Sequence, residues 1–216
     1  CPFGVSLCVM DYRGTGYSDG DITTSGVNET KDVIEVIKYL KSRGFEKISY
    51  FGRSLGAECG IYAAAQFPDL VCLAFDSGSI DTKALSFYQL NYFKKIEKNT
   101  IERLWPEACR IINEKYGIDF LTLEEPYMVA DKITRPIFVI HGNNDKIVPI
   151  SNSEKLMELV KSQDKKFVPF NEGHNDFARY HYFVQQFIFI FHHNGVDVTE
   201  KDFNNLIFFF LLFHLL

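Results

Sequence analysis

Apolar and amphipathic segments alternate along most of the chain, and this alternation predicts a series of strands and helices. Apolar or β-branched runs, which favour strands, occupy residues 4–10, 47–51, 70–75, 136–140 and 166–170. Helical spacing of apolar residues, or helix-favouring composition, occupies residues 28–42, 54–66, 151–162 and 175–192. The order predicts an α/β fold, a mostly parallel sheet with helices on both faces, and the 4–10 run predicts a strand buried on both faces.

The segment from about residue 79 to residue 135 interrupts this alternation. It has two helix-prone stretches, at 83–98 and 101–116, and no strand-like run between them. Its aromatic residues include Phe87, Tyr88, Tyr92, Phe93 and Trp105. We predict a helical insertion that forms a lid over an acyl pocket. A plain core or a partner-facing pair of helices are the alternatives.

Size and charge limit the classes of protein to which the chain can belong. Its 216 residues suit one domain with a sizeable core, which we expect at 1–202. Hydrophobic residues make up 46% and charged residues 24%, so neither disorder nor full membrane embedding is indicated. Acidic and basic residues are interspersed and the net charge is −5, which leaves no basic face for nucleic acid. We therefore expect no nucleic-acid partner.

The five cysteines are widely separated, odd in number and without C-x-x-C spacing. This pattern indicates neither a zinc site nor a disulfide framework. Cys8, Cys59 and Cys72 lie in apolar runs, where cysteine behaves as a small hydrophobic residue, so we predict reduced core thiols. Reduced thiols favour a cytoplasmic location.

Both ends of the chain are unusual. It begins with Cys1 and enters the first strand-like run directly, so we expect a fragment that lacks the first strands of its sheet. Residues 203–216 form a tail that is apolar from residue 206 onward, yet a bilayer-spanning helix needs about 20 residues. The tail is open to three interpretations: the start of a truncated membrane helix, an interfacial anchor, or an artefact of gene prediction. Membrane association through the tail therefore stays open.

The sequence Gly52-Arg53-Ser54-Leu55-Gly56 lies between a predicted strand and a predicted helix. In this context G-x-S-x-G predicts a sharp turn that exposes a nucleophilic serine, with a purely structural turn as the alternative. We expect glycine to be required at positions 52 and 56, because a Cβ atom at either position would collide across the turn. The amide of Leu55, near the positive end of the helix, is expected to stabilise an oxyanion.

A serine nucleophile needs a base and usually a carboxylate that orients the base. His174 lies in a polar loop after one predicted strand, and Asp145 follows the preceding strand. The chain order Ser54, Asp145, His174 is that of an α/β-hydrolase. His141, beside Gly142, is interpreted as a structural loop histidine.

The loop at 11–20 contains three glycines but not G-x-G-x-x-G, and no G-K-[ST] follows it. Nucleotide binding is therefore not indicated. We interpret these glycines as turn residues, with Arg13 and Asp19 in local polar contacts.

Four motifs together resemble the α/β-hydrolase superfamily over residues 4 to about 193; they lie at 11–20, 52–56, 141–145 and 172–174. The chain looks most like the serine aminopeptidase and prolyl-oligopeptidase-like branch. The resemblance implies that Ser54 is the nucleophile, His174 the general base and Asp145 the orienting acid, with Leu55 as one oxyanion amide. Family members also have earlier strands and a loop with a second oxyanion donor, which we expect this fragment to lack.

These observations predict a serine hydrolase that cleaves an ester, thioester or amide through an acyl-enzyme on Ser54. An acyl esterase or thioesterase is the preferred function, and the alternatives are a serine peptidase of the prolyl-oligopeptidase or aminopeptidase type and an inactive scaffold. The expected substrates are small molecules, lipids, or acylated proteins and peptides. We expect no metal and no cofactor. An inactive fragment is an alternative to an active one.

Overall fold

The computed structural model describes residues 3–176 and 180–203. Its centre is a four-stranded sheet in the order β1-β2-β3-β4, and every neighbouring pair is parallel. The strands are β1 (Tyr50–Arg53), β2 (Leu73–Asp76), β3 (Ile137–Gly142) and β4 (Lys165–Phe170). Every residue of β2 and β3 is buried. The predicted α/β fold with a parallel sheet is confirmed.

Helices cover both faces of the sheet. They are α1 (Glu29–Ser42), α2 (Leu55–Gln66), α5 (Ser151–Leu159) and α6 (Tyr180–His193). Alternate strand residues point to opposite faces. Thus Phe75 of β2 packs in the cluster formed with α1, α2 and α5, whereas its neighbour Ala74 packs with α6.

The predicted insertion at 79–135 is helical, with α3 (Thr82–Lys94) and α4 (Lys98–Tyr116) followed by short 3₁₀ turns at Pro126–Met128 and Ala130–Lys132. The side chain of Asp81 caps α3 by accepting from the amide of Ala84 at 2.7 Å. Gly117 ends α4 in the left-handed conformation that glycine adopts at low cost.

The prediction of a buried strand at 4–10 was wrong. In the structure this segment is not a strand, and Leu7 and Val9 are 77% and 81% exposed. Apolar composition favours a strand only where a neighbouring strand supplies hydrogen bonds and a packing surface, and no strand of the described residues pairs with this segment. Cys8 is accordingly exposed rather than a core thiol, whereas Cys59 and Cys72 are buried as predicted.

Among the described residues, no helix combines the length and the apolarity that a membrane span requires. The predicted tail at 203–216 lies outside the described residues from position 204 onward.

Candidate active site

Ser54 occupies the turn between β1 and α2. Its backbone has φ 52° and ψ −117°, a conformation that residues other than glycine rarely adopt. Hydrogen bonds on both sides hold it there. The Ser54 amide donates to the carbonyl of Asp76 in β2 at 2.7 Å, and the Ser54 carbonyl accepts from the amide of Ala57 at 3.0 Å. The turn is therefore fixed by the neighbouring strand and by the first turn of the helix.

The two glycines of the motif have different roles. A Cβ atom on Gly52 would lie 2.3 Å from the carbonyl oxygen of Gly56, and backbone atoms cannot move aside cheaply. The steric requirement that the motif predicts is therefore present at Gly52. A Cβ on Gly56 would have as its nearest contact the hydroxyl of Tyr12 at 3.5 Å, an ordinary contact distance, so the steric expectation for Gly56 was wrong.

The structure brings Ser54, His174 and Asp145 together. Nε2 of His174 lies 3.0 Å from Oγ of Ser54, and Nδ1 lies 2.6 Å from Oδ2 of Asp145. His174 and Asp145 are only 7% and 5% exposed, so solvent does not separate these groups. A carboxylate accepts at Nδ1, which leaves Nε2 without its hydrogen in the neutral ring and able to accept the serine proton.

The Asp145 carboxylate is held on both oxygens. While Oδ2 faces His174, Oδ1 accepts from the amides of Ile147 and Val148, each at 2.9 Å. Burial acts to raise the pKa of Asp145. Hydrogen bonds from His141, His174 and the two amides outweigh burial and lower the pKa well below its ordinary value. Asp145 is therefore ionised at neutral pH.

His141 supports this turn from inside the sheet. It is fully buried within β3 rather than in a loop, so that part of the prediction was wrong, but its contacts are structural as expected. Its Nε2 lies 2.9 Å from the carbonyl of Val148 and 3.4 Å from Oδ2 of Asp145. Because a carbonyl only accepts, Nε2 carries the hydrogen, and Nδ1 accepts from the hydroxyl of Ser153 at 2.7 Å.

Leu55 is the first residue of α2. Its amide is among the first four of the helix, and these amides have no carbonyl partner within the helix. The positive end of the helix dipole lies at the same place, so the surroundings of this amide suit a negative charge.

Sequence reasoning missed the contacts of Arg53, the residue before Ser54. Its guanidinium donates to the carboxylate of Asp76 at 3.1 Å, to the carbonyl of His174 and to Oδ1 of Asn175 at 2.9 Å. The signal available in the sequence was a long cationic side chain at the second position of the motif, directly before the serine.

The insertion contacts two elements of the site, the turn that carries Asp145 and the helix α2. On α3, the Tyr88 hydroxyl donates to the carbonyl of Lys146 at 3.3 Å, and the Gln89 amide donates to the carbonyl of Ile147 at 3.1 Å. These carbonyls belong to the turn that carries Asp145. Thr82, at the start of α3, also donates to the carboxylate of Glu58 in α2 at 3.0 Å.

A cavity of about 840 Å³ lies between α3, α4 and the loop at 22–25. Its lining is mostly apolar and includes Leu90, Phe93, Ile101, Trp105 and Ile112. This volume falls in the range of small-molecule pockets.

Among residues 3–176 and 180–203, no group of three or more His, Cys, Asp or Glu side chains is placed to hold a metal ion.

Comparison with solved structures shows the same fold in known hydrolases. A monoacylglycerol lipase from Paleococcus ferrophilus has a TM-score of 0.58 and 19% identity, covering 85% of this chain and 82% of the lipase. The Pyrococcus furiosus esterase Pf2001 has a TM-score of 0.57 and 19% identity, covering 82% of this chain and 65% of the esterase. At these identities the likeness concerns the fold.

Comparison of sequences identifies the family. The Saccharomyces cerevisiae membrane protein YNL320W is 29% identical over 180 residues, which are 81% of this chain and 56% of the yeast protein. The chain spans about half the length of the curated relatives that it matches. The profile of the prolyl oligopeptidase family matches residues 2–193, nearly the whole chain. The chain therefore belongs to the prolyl oligopeptidase family, within the α/β-hydrolase superfamily.

Proposed function

We propose that this protein is a serine hydrolase that forms an acyl-enzyme on Ser54. The observation that carries the proposal is the pair of contacts at His174, 3.0 Å to the hydroxyl of Ser54 and 2.6 Å to the carboxylate of Asp145. A serine, an imidazole and a carboxylate in this order supply nucleophile, general base and orienting acid. Residues 1–202 form the hydrolase domain in this proposal.

In the first step Oγ of Ser54 attacks the substrate carbonyl carbon while Nε2 of His174 takes the hydroxyl proton. The carbonyl oxygen becomes an oxyanion, for which the Leu55 amide is the donor. The imidazolium then gives its proton to the leaving group, and Asp145 stabilises the imidazolium by charge. In the second step water attacks the acyl-enzyme, with His174 again as base, and releases the acid and free Ser54.

We propose an apolar acyl ester or thioester as the substrate. The apolar cavity between α3 and α4 supports this substrate class, because an acyl chain needs a dry, apolar wall. Gln89 lines the cavity and also donates to the carbonyl of Ile147, two residues beyond Asp145. The cavity therefore lies along α3, the helix that contacts the turn carrying Asp145. On this basis we assign the insertion at 79–135 as a lid.

A serine peptidase is the second candidate, because the family profile is that of prolyl oligopeptidases. An aminopeptidase must bind the protonated amine of its substrate, for which a carboxylate is the usual partner. No carboxylate is found among the described residues that line the cavity, where Lys94 is the charged side chain. The lining thus favours the acyl substrate.

Labelling with a fluorophosphonate tests the chemistry. We expect the wild-type protein to be labelled and the Ser54→Ala variant to remain unlabelled. Absence of labelling in a folded wild-type protein would contradict the proposal. Turnover of p-nitrophenyl decanoate against aminoacyl p-nitroanilides then separates the two substrate classes, and faster turnover of the anilides would favour the peptidase.

A further inference from the structure

We infer that Arg53 is a positioning residue that fixes the loop carrying His174 relative to Ser54, an inference that rests on the proposed function of these two residues. Arg53 touches neither hydroxyl nor imidazole. It acts through the backbone of the base, through Asn175 and through Asp76.

The sheet order leaves a gap between the two loops that such a side chain spans. Ser54 follows β1 at one edge, whereas the loop of His174 follows β4 at the other edge. Two strands lie between them, and neighbouring strands are about 4.8 Å apart, so the strand axes are separated by roughly 14 Å. Asp145, which follows β3, spans part of this gap by binding Nδ1 of His174. That bond orients the ring but leaves the distance from the loop backbone to β1 undefined.

Arg53 spans the gap from the other side. It is the last residue of β1, and its Nη2 atom donates to the carbonyl of His174 and to Oδ1 of Asn175. A guanidinium is planar and rigid, so donors on one fork hold two acceptors in a defined relation to each other. The base is thereby bound at both ends, with its ring on Asp145 and its backbone on Arg53.

Asp76 holds the guanidinium itself in place. Its carboxylate is fully buried and accepts from Nε of Arg53 at 3.1 Å and from the hydroxyl of Ser77 at 2.7 Å. The backbone carbonyl of the same residue accepts from the Ser54 amide at 2.7 Å. One residue of β2 thus braces both the nucleophile and the side chain that reaches the base. Movement of the base relative to the serine would have to break these hydrogen bonds.

Lysine at this position would separate the two roles of Arg53. Its ammonium keeps a positive charge for the buried Asp76, but a point charge does not reproduce the planar fork that also reaches residues 174 and 175. Arg53→Lys therefore weakens positioning while keeping a cation beside the buried carboxylate of Asp76. Asn175→Ala removes one acceptor and leaves the pair with Asp76 intact, so it is the milder companion variant.

The experiment measures the rate constant of fluorophosphonate labelling and, for p-nitrophenyl acetate, kcat per labelled site and KM. We expect Arg53→Lys to lower the labelling rate constant and kcat by about 10- to 100-fold with KM unchanged, because a shift near 1 Å costs rates of this order. Asn175→Ala is expected to fall between this variant and wild type. A purely structural role would lower the labelled fraction and leave the rate constant per competent molecule unchanged, which would overturn the inference.

If Arg53→Lys fails to fold, the double variant Arg53→Met with Asp76→Asn replaces it, since it removes both charges of the ion pair together. A wild-type rate constant in that folded variant would equally overturn the inference. Wild-type protein that does not label at all would instead contradict the proposed function, so the two failures are distinguishable.

Discussion

Nε2 of His174 lies 3.0 Å from Oγ of Ser54, although 120 positions separate the two residues along the chain. They sit at the carboxyl ends of opposite edge strands of the sheet. Parallel strands direct all of their carboxyl ends to one side, so loops that are distant in sequence meet there.

The glycines of the turn provide a matched pair of variants. We expect Gly52→Ala to destabilise the fold by about 3 kcal/mol or more, because its Cβ would meet the Gly56 carbonyl at 2.3 Å. Gly56→Ala is expected to stay within about 1 kcal/mol of wild type, since alanine is the better helix former and the nearest contact is at 3.5 Å. Urea unfolding measures both. Equal losses would show that the turn is not crowded in this asymmetric way.

Asp145→Asn tests the orienting carboxylate. An asparagine amide cannot stabilise the imidazolium by charge, so we expect kcat to fall by about 10³- to 10⁴-fold with KM little changed. Steady-state kinetics with a p-nitrophenyl ester measures this. Asp197→Asn, at a side chain that is 99% exposed, is the control and should leave kcat unchanged. A small loss in Asp145→Asn would assign the orienting role elsewhere.

The lowered pKa of Asp145 also predicts how stability depends on pH. The unfolded carboxyl takes up its proton at a higher pH than the folded one, so the stabilisation is present at neutral pH and lost as the pH falls into the acid range. We expect a shallower acid limb of stability against pH for Asp145→Asn than for wild type. Thermal unfolding between neutral and acid pH measures the difference. Parallel curves would contradict the assigned shift.

Glu58 predicts a pH dependence of the opposite sign. Burial raises the pKa of Glu58 from 4.5 to about 8, the carboxylates of Glu125 and Glu29 add to this, and the hydrogen bond from Thr82 opposes it. Between these two pH values the folded state keeps a proton that the unfolded state loses, so stability falls as the pH rises. Glu58→Gln keeps the shape without the charge and should gain stability at pH 7, on the order of 3 kcal/mol.

The control for Glu58 is Glu35→Gln, at an exposed glutamate of α1. We expect the stability advantage of Glu58→Gln to shrink below pH 5 and the control to show no such dependence. Thermal unfolding at several pH values measures both. An advantage that does not change with pH would show that Glu58 is ionised in the folded protein at neutral pH.

The cavity predicts a selectivity for acyl-chain length. Ala108 lines it from α4, and Ala108→Phe would place a large side chain in the space proposed for the acyl chain. We expect the ratio of kcat/KM for decanoyl over acetyl esters to fall about tenfold. Leu121→Phe, at an exposed residue that does not line the cavity, is the control. An unchanged ratio would place the acyl chain elsewhere.

Local sequence rules predicted much of the fold. The strands β3 and β4 and the helices α1 and α5 lie within a few residues of their predicted positions, because apolar periodicity reflects burial on one face. The strand prediction at 4–10 failed because apolar periodicity does not show whether a neighbouring strand is present. The same apolar pattern describes a strand with partners and an exposed segment without them, and only the sheet distinguishes the two.

By itself, the sequence determined the turn at Ser54 and the chain order Ser54, Asp145, His174, because both depend on local backbone geometry and on the alternation of strands and loops. Only the tertiary structure decided that Arg53 contacts residues 174 and 175, that His141 supports the turn of Asp145 from within β3, and that the side chain of Glu58 is buried. Hydrogen bonds across distant strands and the loss of solvent around a charge depend on what the fold places beside a residue. No local pattern in the sequence encodes those neighbours.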